Sequence, residues 1–409
     1  MPSVSEYQSA IRALLSPLAA REPEWWTDPR PPAAPAPRVL AADVSNPLDL
    51  PPFDNSQMDG YAVRAAEVHP GSALAVAPHI AAGAGLARLK PGTAAPIMTG
   101  AAVPLGADAI IPIEASDPNS FLPDEPGHSV RFAGPVEPGA FVRRRSSDLA
   151  AGQMLLIAGT VLGPAHWGVL ASAGVTRVPL LRRVRVLLIS TGDELRAPEA
   201  PLDPATIHDA NGASLTAALE EAGAEVVRAE VVRDDAVAAR ALLAEVLAST
   251  PVDLILSTGG VSAGAYEVVR DVFESAGVAF TSVSMQPGGP QGQGVARLDG
   301  ADLPVVAFPG NPVSALVSFE MFLRPVLRGL HGLPAQRPVI RGPLVAAVES
   351  PVAKHQVRRG RLRPDGSIEL VGGPGSHLLH SYAASDLLVH LPVGVHELPA
   401  GATVDAWAI

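Results

Sequence analysis

An acidic turn and three further turns follow short apolar runs in the second half of the sequence, and they hold residue types that can do chemistry. Asp193 and Glu194 directly follow the run RVRVLLIS. Two adjacent carboxylates after a strand can bind a hard cation through oxygen, and they can also act as a general acid or base. A solvated turn with a helix cap fits the same pair, so the motif alone leaves these interpretations open.

A glycine-rich turn follows the run VDLILS and reads STGGVSAGAYE. Glycines there let backbone N–H groups approach an anion, and the helix that follows would add its positive end. The turn is neither a Walker loop nor a GxGxxG motif, because the required spacing of glycine and lysine is absent. A purely structural turn is the alternative.

The third turn, Pro309-Gly310-Asn311-Pro312, follows the run PVVAF. Asn311 suits a helix N-cap and Pro312 suits the first helical position, which explains the local shape without any function. A glycine-bearing turn before a helix is equally suited to an anion.

Two more polar residues are predicted to be helix caps. Asp234, in the turn RDD after the run AEVVRAEVV, is expected to cap the helix that follows. Asn211 is expected to cap a helix over Gly212–Ala222. Both predictions assign these residues a structural role when each motif is taken by itself.

Two polar segments occur earlier in the chain. DNSQMDGYAV places Asp59 in a turn with a second acid and an amide, and PIMTGA places Thr99 before GADAIIPIE. Each segment also fits a simple turn at a strand edge. The joint occurrence of all these turns is more informative than any one of them.

The elements that would position the later turns alternate between strand and helix across residues 183–329. Helical patterns are expected at Gly212–Ala222, Asp235–Ala248, Glu267–Ala276 and Pro312–Leu330. This alternation predicts a doubly wound, mostly parallel sheet. Since ligands bind beyond the carboxyl ends of such strands, the turns described above are candidates for a single site.

The remaining sequence predicts a multidomain α/β protein with β-rich flanking parts. Residues 46–141 are rich in Gly, Pro and short alternating runs, and residues 337–409 resemble a small all-β unit. Residues 1–45 and 142–180 form an extended mixed N-terminal domain in this interpretation, with the α/β domain at 181–330.

Composition excludes several classes of function. The net charge is −11 over 409 residues, and no long basic run occurs, so nucleic acid and anionic membranes are poor candidate partners. The absence of cysteine excludes disulfides, thiolate metal sites and a cysteine nucleophile. No signal-peptide pattern or bilayer-spanning run is present, and a cytoplasmic location is the default expectation.

Seven segments occur in a fixed order between residues 54 and 315: DNSQMDGYAV, PIMTGA, RRRSSDLAAG, STGDEL, STGGVSAGAYEVVRD, MQPGGPQGQG and FPGNPVSA. With these segments the chain resembles the molybdopterin molybdenumtransferases, the MoeA and gephyrin E-domain family. The later segment GSHLLHSYAASDLLVHLP is similar to the C-terminal domain of that family. The resemblance covers nearly the whole chain.

The resemblance implies four domains and a homodimer, with residues 1–45 and 142–180 in dimerisation. It implies a cleft between the sheet domain and the acidic turn of the partner subunit. The implied reaction inserts molybdate into adenylylated molybdopterin and releases AMP with the help of a divalent cation, usually Mg²⁺. A metal would neutralise the charge that develops on the leaving phosphate. The adenylyltransferase that supplies the pterin is an implied partner.

The resemblance also implies roles for individual residues. The implied catalytic residues are Asp59, Thr99, Asp148, Glu194, Asp234 and Glu267. Asp193 and Glu194 would lie near the metal. The implied substrate-binding residues are Gly259, Gly260, Ser262, Gly264, Pro287, Pro290, Pro309, Gly310 and Asn311, with Arg359, Ser376 and Ser381 from the C-terminal unit. Glu267 stands where the family usually has Asp, and its longer side chain would shift the carboxylate.

One segment departs from the family pattern. The family commonly has a lysine where this chain has Gly289, and Gln286 adds no charge either. Loss of a cationic donor should weaken the binding of phosphate and molybdate. Arg270, where the family often has Lys, is expected to compensate in part.

Three hypotheses follow. The first is an active molybdenumtransferase. The second is a catalytically weakened paralogue that binds molybdopterin or a partner protein without turnover. The third is a scaffold, which no sequence feature supports because the long partner-binding linker and additional domains are absent.

Overall fold

The computed structural model describes residues 1–28, 37–122, 127–261, 268–298 and 300–409. The chain divides into two compact units. The first comprises Met1–Trp25, Pro32–Ala41 and Pro179–Ile409, and the second comprises Trp26–Pro31 and Ala42–Val178. Ser262, Gly264 and Glu267, three of the predicted site residues, lie outside the described residues.

Most of the α-helices belong to the first unit. Their bounds are α1 Val4–Leu15, α2 Pro164–Ser172, α3 Ala210–Glu221, α4 Ala236–Ser249, α5 Val268–Glu274, α6 Pro312–Ser318, α7 Arg324–Leu330 and α8 Leu379–Ala383. A π-helical turn, Phe319–Leu323, joins α6 to α7, and 3₁₀ turns occur at Ser16–Ala20, Ala65–Glu67 and Ile113–Ala115. Within the described residues, none of these helices has the length and apolar character needed to cross a membrane.

The strands are short, and several contain only two residues. Their bounds are β1 Glu24–Trp26, β2 Val44–Ser45, β3 Asn55–Ser56, β4 Gly60–Val63, β5 Ala73–Val76, β6 Thr93–Ile97, β7 Ala109–Pro112, β8 Ser116–Asp117, β9 Ser129–Phe132, β10 Val142–Arg143, β11 Met154–Leu156, β12 Val178–Leu180, β13 Arg185–Thr191, β14 Leu195–Arg196, β15 Ile207–His208, β16 Glu225–Val232, β17 Leu254–Thr258, β18 Val278–Ser282, β19 Met285–Gln286, β20 Pro290–Leu298, β21 Ala301–Phe308, β22 Val339–Pro343, β23 Val348–Glu349, β24 His355–Leu362, β25 Ile368–Leu370, β26 Leu387–Leu391, β27 Glu397–Leu398 and β28 Thr403–Ala408.

The main sheet of the first unit has six strands in the order β16-β13-β17-β21-β20-β18. The first four are parallel, which confirms the predicted doubly wound, mostly parallel sheet. The other two are antiparallel, and β20 forms a hairpin with β21. The sequence analysis did not identify β20, because its QGQG start lacks the branched apolar residues typical of a strand.

Both faces of this sheet are buried. Along β13, Val186 and Leu188 pack in one apolar cluster with α1, α3 and α6, whereas Leu187 and Ile189 pack in another with α4 and α5. Side chains alternate between the two faces of a strand, so a continuous apolar run fits a strand covered on both sides. The first helix joins this core because the ring of Tyr7 lies 4.7 Å from that of Phe322.

The helix caps differ from two of the predictions. Asp235 and not Asp234 is the N-cap of α4, and Asp209 and not Asn211 is the N-cap of α3. The predicted cap at Asn311 is confirmed, with Pro312 in the first turn. In the two wrong cases a second polar side chain one or two residues away makes the capping bonds, and it leaves Asp234 and Asn211 available for other contacts.

The C-terminal part is the small β domain that the sequence predicts. Its sheet has the order β19-β24-β26-β28-β22, with β25 paired to β24. The strand β19 comes from the α/β region and pairs with β24 through Gln286 and Gln356. This pairing holds the chain before Pro287 beside the C-terminal domain. The short helix α8 was not predicted.

The second unit is strand-rich, as predicted, and its larger sheet has the order β7-β4-β6-β5-β9-β8. β4 is buried on both faces, with Tyr61 and Val63 in one apolar cluster and Ala62 in another. Gly60 begins this strand, and a Cβ placed there would lie 2.1 Å from the carbonyl oxygen of Ile111. Only glycine fits, and this close packing fixes the backbone next to Asp59.

The two compact units do not coincide with the four predicted segments. Residues 1–25 belong with the sheet, because α1 packs on it, whereas the sequence groups them with residues 142–180. The boundaries of the four domains stay a prediction.

Candidate functional site

A cleft of about 930 Å³ lies at the carboxyl end of the parallel strands in the first unit. The ends of β13, β17 and β21 form its floor, and the segment before β20 and a loop of the C-terminal domain form its walls. Its described lining residues are Thr191, Gly192, Glu194, Leu195, Ile207, Asn211, Asp234, Thr258, Gly259, Gly260, Val261, Gln286, Pro287, Gly288, Pro290, Pro309, Gly310, Asn311, Pro312, Ser314, Pro374, Gly375, Ser376 and His377.

The acidic turn after β13 places one carboxylate in the cleft. The Glu194 carboxyl group lies over Gly192, where an added Cβ would be 2.5 Å from Oε2. Asp193 faces the neighbouring turn instead. Its Oδ1 accepts from the backbone N–H of Asp234 at 3.2 Å, and its own N–H donates to Asp234 Oδ2 at 3.4 Å.

This reciprocal pair of hydrogen bonds joins the turns after β13 and β16. Asp193 also pairs with the exposed Arg233, with 3.3 Å between Nε and Oδ1. Asp234 lines the cleft, whereas Asp193 does not. Glu194 and Asp234 therefore both line the cleft, and the prediction that Asp193 and Glu194 lie near a metal stays a prediction.

The glycine-rich turn after β17 approaches β13 closely. Gly259 has a φ of +94°, and a Cβ there would lie 2.6 Å from the carbonyl oxygen of Thr191. Its N–H donates to Phe308 O at 3.1 Å. The predicted Gly259 and Gly260 both line the cleft, and a side chain at Gly259 would push β13 and β17 apart.

Asn211 connects three of the turns and was not among the predicted site residues. Its Nδ2 donates to Thr258 Oγ1 at 3.0 Å and to Gly310 O at 2.7 Å. The Thr258 hydroxyl in turn donates to Pro309 O at 3.0 Å. These bonds fix the start of α3, the end of β17 and the Pro309–Gly310 turn relative to one another. The one signal in the sequence was that Asn211 lies two residues after Asp209, which caps α3 and so leaves the Asn211 amide for other contacts.

The turn before α6 lies against the C-terminal domain. Pro309, Gly310 and Asn311 line the cleft, as predicted from the resemblance. The first turn of α6 is not fully free for a ligand, because the N–H of Val313 donates to Ser376 O at 3.0 Å. Ser376 thereby enters the cleft wall.

Arg359 and Ser381, the two other predicted residues of the C-terminal domain, contact the residues Gly372 and Gly373 that precede this loop. Arg359 is fully buried and donates from Nη2 to Gly373 O. A Cβ at Gly372 would lie 2.6 Å from the hydroxyl of Ser381. Neither Arg359 nor Ser381 is among the described lining residues, so the structure places them next to the loop rather than in the cleft.

The segment that lacks the family lysine forms another wall. Pro287 and Pro290 line the cleft. The Nε2 of Gln356 donates a hydrogen bond to the Oε1 of Gln286 at 2.7 Å. Gly289 is outside the lining, and the nearest atom to an added Cβ there is Ser282 Oγ at 3.4 Å. A larger residue at 289 is therefore sterically possible.

Arg270, the residue expected to compensate for the missing lysine, lies on α5. Its Nε pairs with Glu274 Oε2 at 3.0 Å, and its guanidinium lies 5.7 Å from the centroid of Phe280. It is not among the described lining residues of the cleft. The compensation expected from Arg270 stays a prediction. Glu194 and Asp234 are the only Asp, Glu, Lys or Arg side chains of the described lining.

The second unit brings two predicted residues together. Asp59 Oδ1 accepts from both the backbone N–H and the hydroxyl of Thr99, each at 2.7 Å. The backbone bond first, and then the hydroxyl bond, hold the pKa of Asp59 below its ordinary value. Asp148 is an exposed residue whose N–H donates to Leu50 O at 3.0 Å.

Three family models match successive parts of the chain. The MoeA N-terminal region, described as domains I and II, matches residues 2–174. A probable molybdopterin binding domain matches residues 187–329. The MoeA C-terminal region, described as domain IV, matches residues 341–409.

Similar proteins extend over most of the chain. Molybdopterin molybdenumtransferase 2 of Mycobacterium tuberculosis strain H37Rv is 44% identical over 384 residues, which is 90% of this chain and 92% of the relative. Molybdopterin molybdenumtransferase of Nostoc is 34% identical over 90% of this chain and 85% of the relative. A molybdopterin biosynthesis MoeA protein of Pyrococcus horikoshii has a similar structure, with a TM-score of 0.74, 28% identity and coverage of 99% of this chain and 98% of that one. The chain belongs to the MoeA family of molybdopterin molybdenumtransferases.

Proposed function

We propose that this enzyme inserts molybdenum from molybdate into adenylylated molybdopterin and releases AMP. The observation that carries the proposal is the cleft itself. In a chain of this family, one cavity of about 930 Å³ combines two carboxylates with three turns of low side-chain bulk. Its size lies near the upper end of the range for small-molecule sites, which suits a pterin joined to a nucleotide.

The turns are suited to phosphate groups because backbone N–H groups can approach an anion where side chains are absent. Gly260 and Gly310 supply such positions, whereas the N–H of Gly259 already donates to Phe308 O. Asn211 keeps these turns at a fixed spacing through its bonds to Thr258 and Gly310. The floor of the cleft is therefore organised before the substrate binds.

The carboxylates provide the chemistry of anhydride cleavage. Water attacks one phosphorus of the anhydride, its oxygen stays on that phosphorus, and the bond to the AMP phosphate breaks. Glu194 or Asp234 can accept the proton that the water loses. The two dithiolene thiols then bind the molybdenum as thiolates: two Mo–S bonds form, one Mo–O bond of molybdate breaks, and its oxygen leaves as water with the two thiol protons.

We infer that Mg²⁺ takes part: Glu194 and Asp234 are the residues that would hold it, and it would supply positive charge beside the phosphates of the substrate. Mg²⁺ commonly uses one or two carboxylates, substrate phosphates and water. Within the described lining, Glu194 and Asp234 are the two carboxylates that could hold the cation. When bound, the cation would neutralise charge on the leaving phosphate.

The test is AMP release from adenylylated molybdopterin with molybdate and Mg²⁺. Glu194→Gln should lower the rate on the order of 10²-fold, because it removes a charge while keeping the side-chain volume. Glu199→Gln is the matched control, since Glu199 is exposed and outside the lining of the cleft. Absence of AMP release by the wild type at saturating substrate would refute the proposal.

The family resemblance also supports a homodimer and a transient complex with the adenylyltransferase that makes the substrate. Direct transfer would protect an activated phosphoanhydride from hydrolysis in water. Co-purification of the two proteins, and transfer that resists an added hydrolase, would support the complex.

One observation favours a second candidate, a paralogue that binds the pterin without turnover. The described lining contains two charged residues, Glu194 and Asp234, and both are acidic. Gly289 stands where the family commonly has lysine. Gly289→Lys fits the backbone, since an added Cβ meets no atom closer than 3.4 Å. This candidate predicts pterin binding without AMP release in the wild type and a gain of activity in Gly289→Lys.

Gly85→Lys is the control for added charge, because Gly85 is exposed and an added Cβ there meets no atom within 4 Å. A normal wild-type rate that Gly289→Lys leaves unchanged would exclude the second candidate. A gain in both variants would indicate a general charge effect instead.

A further inference from the structure

Arg358 is a buried cation on the face of β24 opposite Arg359. Its side chain is 8% exposed. Among the described residues, its one hydrogen bond runs from Nη2 to Gly372 O at 3.2 Å, and its buried Nε has no partner. Buried charges are normally paired because the loss of hydration is costly. In the part of the chain that the structure describes, this guanidinium forms no ion pair.

A cavity of about 610 Å³ lies against this guanidinium. It is distinct from the cleft, since the two share only Pro374 among their described lining residues. Besides Arg358, the described lining includes the aliphatic residues Val345, Val348 and Leu370 and the acidic residues Glu349 and Glu369.

The charges around the cavity restrict the kind of anion. Glu369 is already paired with Arg363, with 3.1 Å between Oε1 and Nη2. Glu349 is exposed and stands opposite Glu397 in the β23–β27 ladder. Two acidic residues near one arginine disfavour a small dianion such as sulfate or molybdate. A single carboxylate on an apolar body matches both the arginine and the aliphatic wall.

We propose that this cavity is a second ligand site, which binds a small organic monocarboxylate through the Arg358 guanidinium. The two oxygens of a carboxylate suit the parallel N–H donors of an arginine. The apolar body of the ligand packs on Val345, Val348 and Leu370. The site neither uses nor requires the chemistry of the cleft.

The probe is isobutyrate, titrated into the full-length protein while the arginine side-chain N–H resonances are followed by NMR. One Nε–H resonance should shift saturably at millimolar isobutyrate. Arg358→Lys should remove that resonance and abolish the binding. Arg341→Lys is the control, since Arg341 is exposed and pairs with Asp405 at 2.7 Å on another strand pair.

A second variant tests the cavity without changing the charge. Ala347 is an exposed residue of the cavity wall, and Ala347→Trp should fill the space and abolish the shift while Arg358 stays in place. The proposal is overturned if isobutyrate causes no saturable shift, if Ala347→Trp binds it as well as the wild type, or if inorganic phosphate or sulfate competes on equal terms.

Discussion

Single hydrogen bonds determine which acidic residues of this protein can act. Asp234 is not the residue that caps α4. It is joined to Asp193 by two hydrogen bonds, in each of which the backbone N–H of one residue donates to the carboxylate of the other. Asp59 is fixed in the second unit by Thr99. In both cases the neighbouring residue orients the carboxylate before any ligand arrives.

Thr99→Val should raise the pKa of Asp59 toward its ordinary value. The hydroxyl bond at 2.7 Å favours the ionised carboxylate, and valine removes it while the backbone N–H bond remains. Because the pKa of Asp59 is lowered in the native protein, the carboxylate is retained to lower pH, and the variant should protonate at higher pH. The acid limb of AMP release should move in the same direction.

A pH titration of the Asp59 carboxyl carbon by NMR measures this change. Thr93→Val is the matched control, because the Thr93 hydroxyl donates to Lys90 O at 2.7 Å in the same unit. An Asp59 titration that Thr99→Val leaves unmoved would contradict the assigned role.

Residue roles were only partly predictable from the sequence. Glu194 was a candidate from its motif at a strand end, whereas Asp234 was a candidate only through the family resemblance, and both line the cleft. The role of Asn211 did not follow, because it depends on partners that are distant in sequence. Asn211 contacts Gly310 across 99 positions.

At the scale of elements, the ends of helices and strands carry most of the information about the site. The parallel strands could be predicted because their apolar runs are continuous, and a sheet buried on both faces requires that pattern. The caps of α3 and α4 could not be placed to the residue, because RDD and HDAN each offer adjacent capping side chains. A shift of one or two residues in the position of the cap decides whether a polar side chain caps a helix or faces the cleft.

Asp209→Ala should weaken both stability and substrate binding. The Asp209 carboxylate accepts from the N–H groups of Asn211 and Gly212, each at 3.0 Å, and loss of such a cap costs about 1 kcal/mol. The freed helix start would also move Asn211 away from Gly310. The expected result is a higher KM for the pterin and a lower midpoint in urea.

Ser3→Ala tests whether stability alone explains the effect on KM. Ser3 caps α1 and accepts from the N–H of Glu6 at 3.2 Å, far along the chain from the cleft turns. This variant should lose a similar amount of stability and keep the KM of the wild type. An equal rise in KM in both variants would assign the effect to stability.

His331 links the start of β13 to the end of α3 only in its neutral form. Its Nε2 accepts from the N–H of Val184 at 3.0 Å, and its Nδ1 lies 3.2 Å from Ala222 O. Burial, reinforced by Arg21, lowers the pKa of His331 to about 4. Since the unfolded chain takes up the proton near its ordinary pKa of about 6.5, stability falls as the pH drops from there toward 4.

Urea denaturation of the wild type and of His331→Gln between pH 7 and pH 4 should show this contribution. The advantage of the wild type should shrink by at most about 3 kcal/mol as the pH falls. His69→Gln is the control at an exposed histidine, and its curve should run parallel to that of the wild type. A constant difference between His331→Gln and the wild type across this range would contradict the prediction.

At the scale of the whole molecule, the sequence determined the family because seven motifs keep their order across both compact units. The division into units was less predictable, since α1 packs on a sheet that begins about 170 residues later in the chain. The family resemblance adds one expectation that concerns two subunits rather than one. It implies that the Asp59 turn of one subunit completes the cleft of its partner.

Mixed dimers test this expectation directly. If Asp59 and Glu194 act from different subunits, a mixed dimer of Asp59→Asn and Glu194→Gln contains one intact site and one doubly altered site. Because random mixing makes about half of all dimers mixed, equal amounts of the two inactive variants should recover about a quarter of the wild-type rate of AMP release. If both residues act from one subunit, the mixture stays inactive.

The double variant Asp59→Asn/Glu194→Gln, mixed with an equal amount of wild type, should show a lower rate of AMP release for shared sites than for sites confined to one subunit. With shared sites, every site of a mixed dimer carries one altered residue, so only wild-type dimers act and the rate is about a quarter. With sites confined to one subunit, each wild-type chain keeps its activity and the rate is about half. Recovery in the first mixture together with about a quarter in the second would establish a site built from two subunits, and any other combination would exclude it.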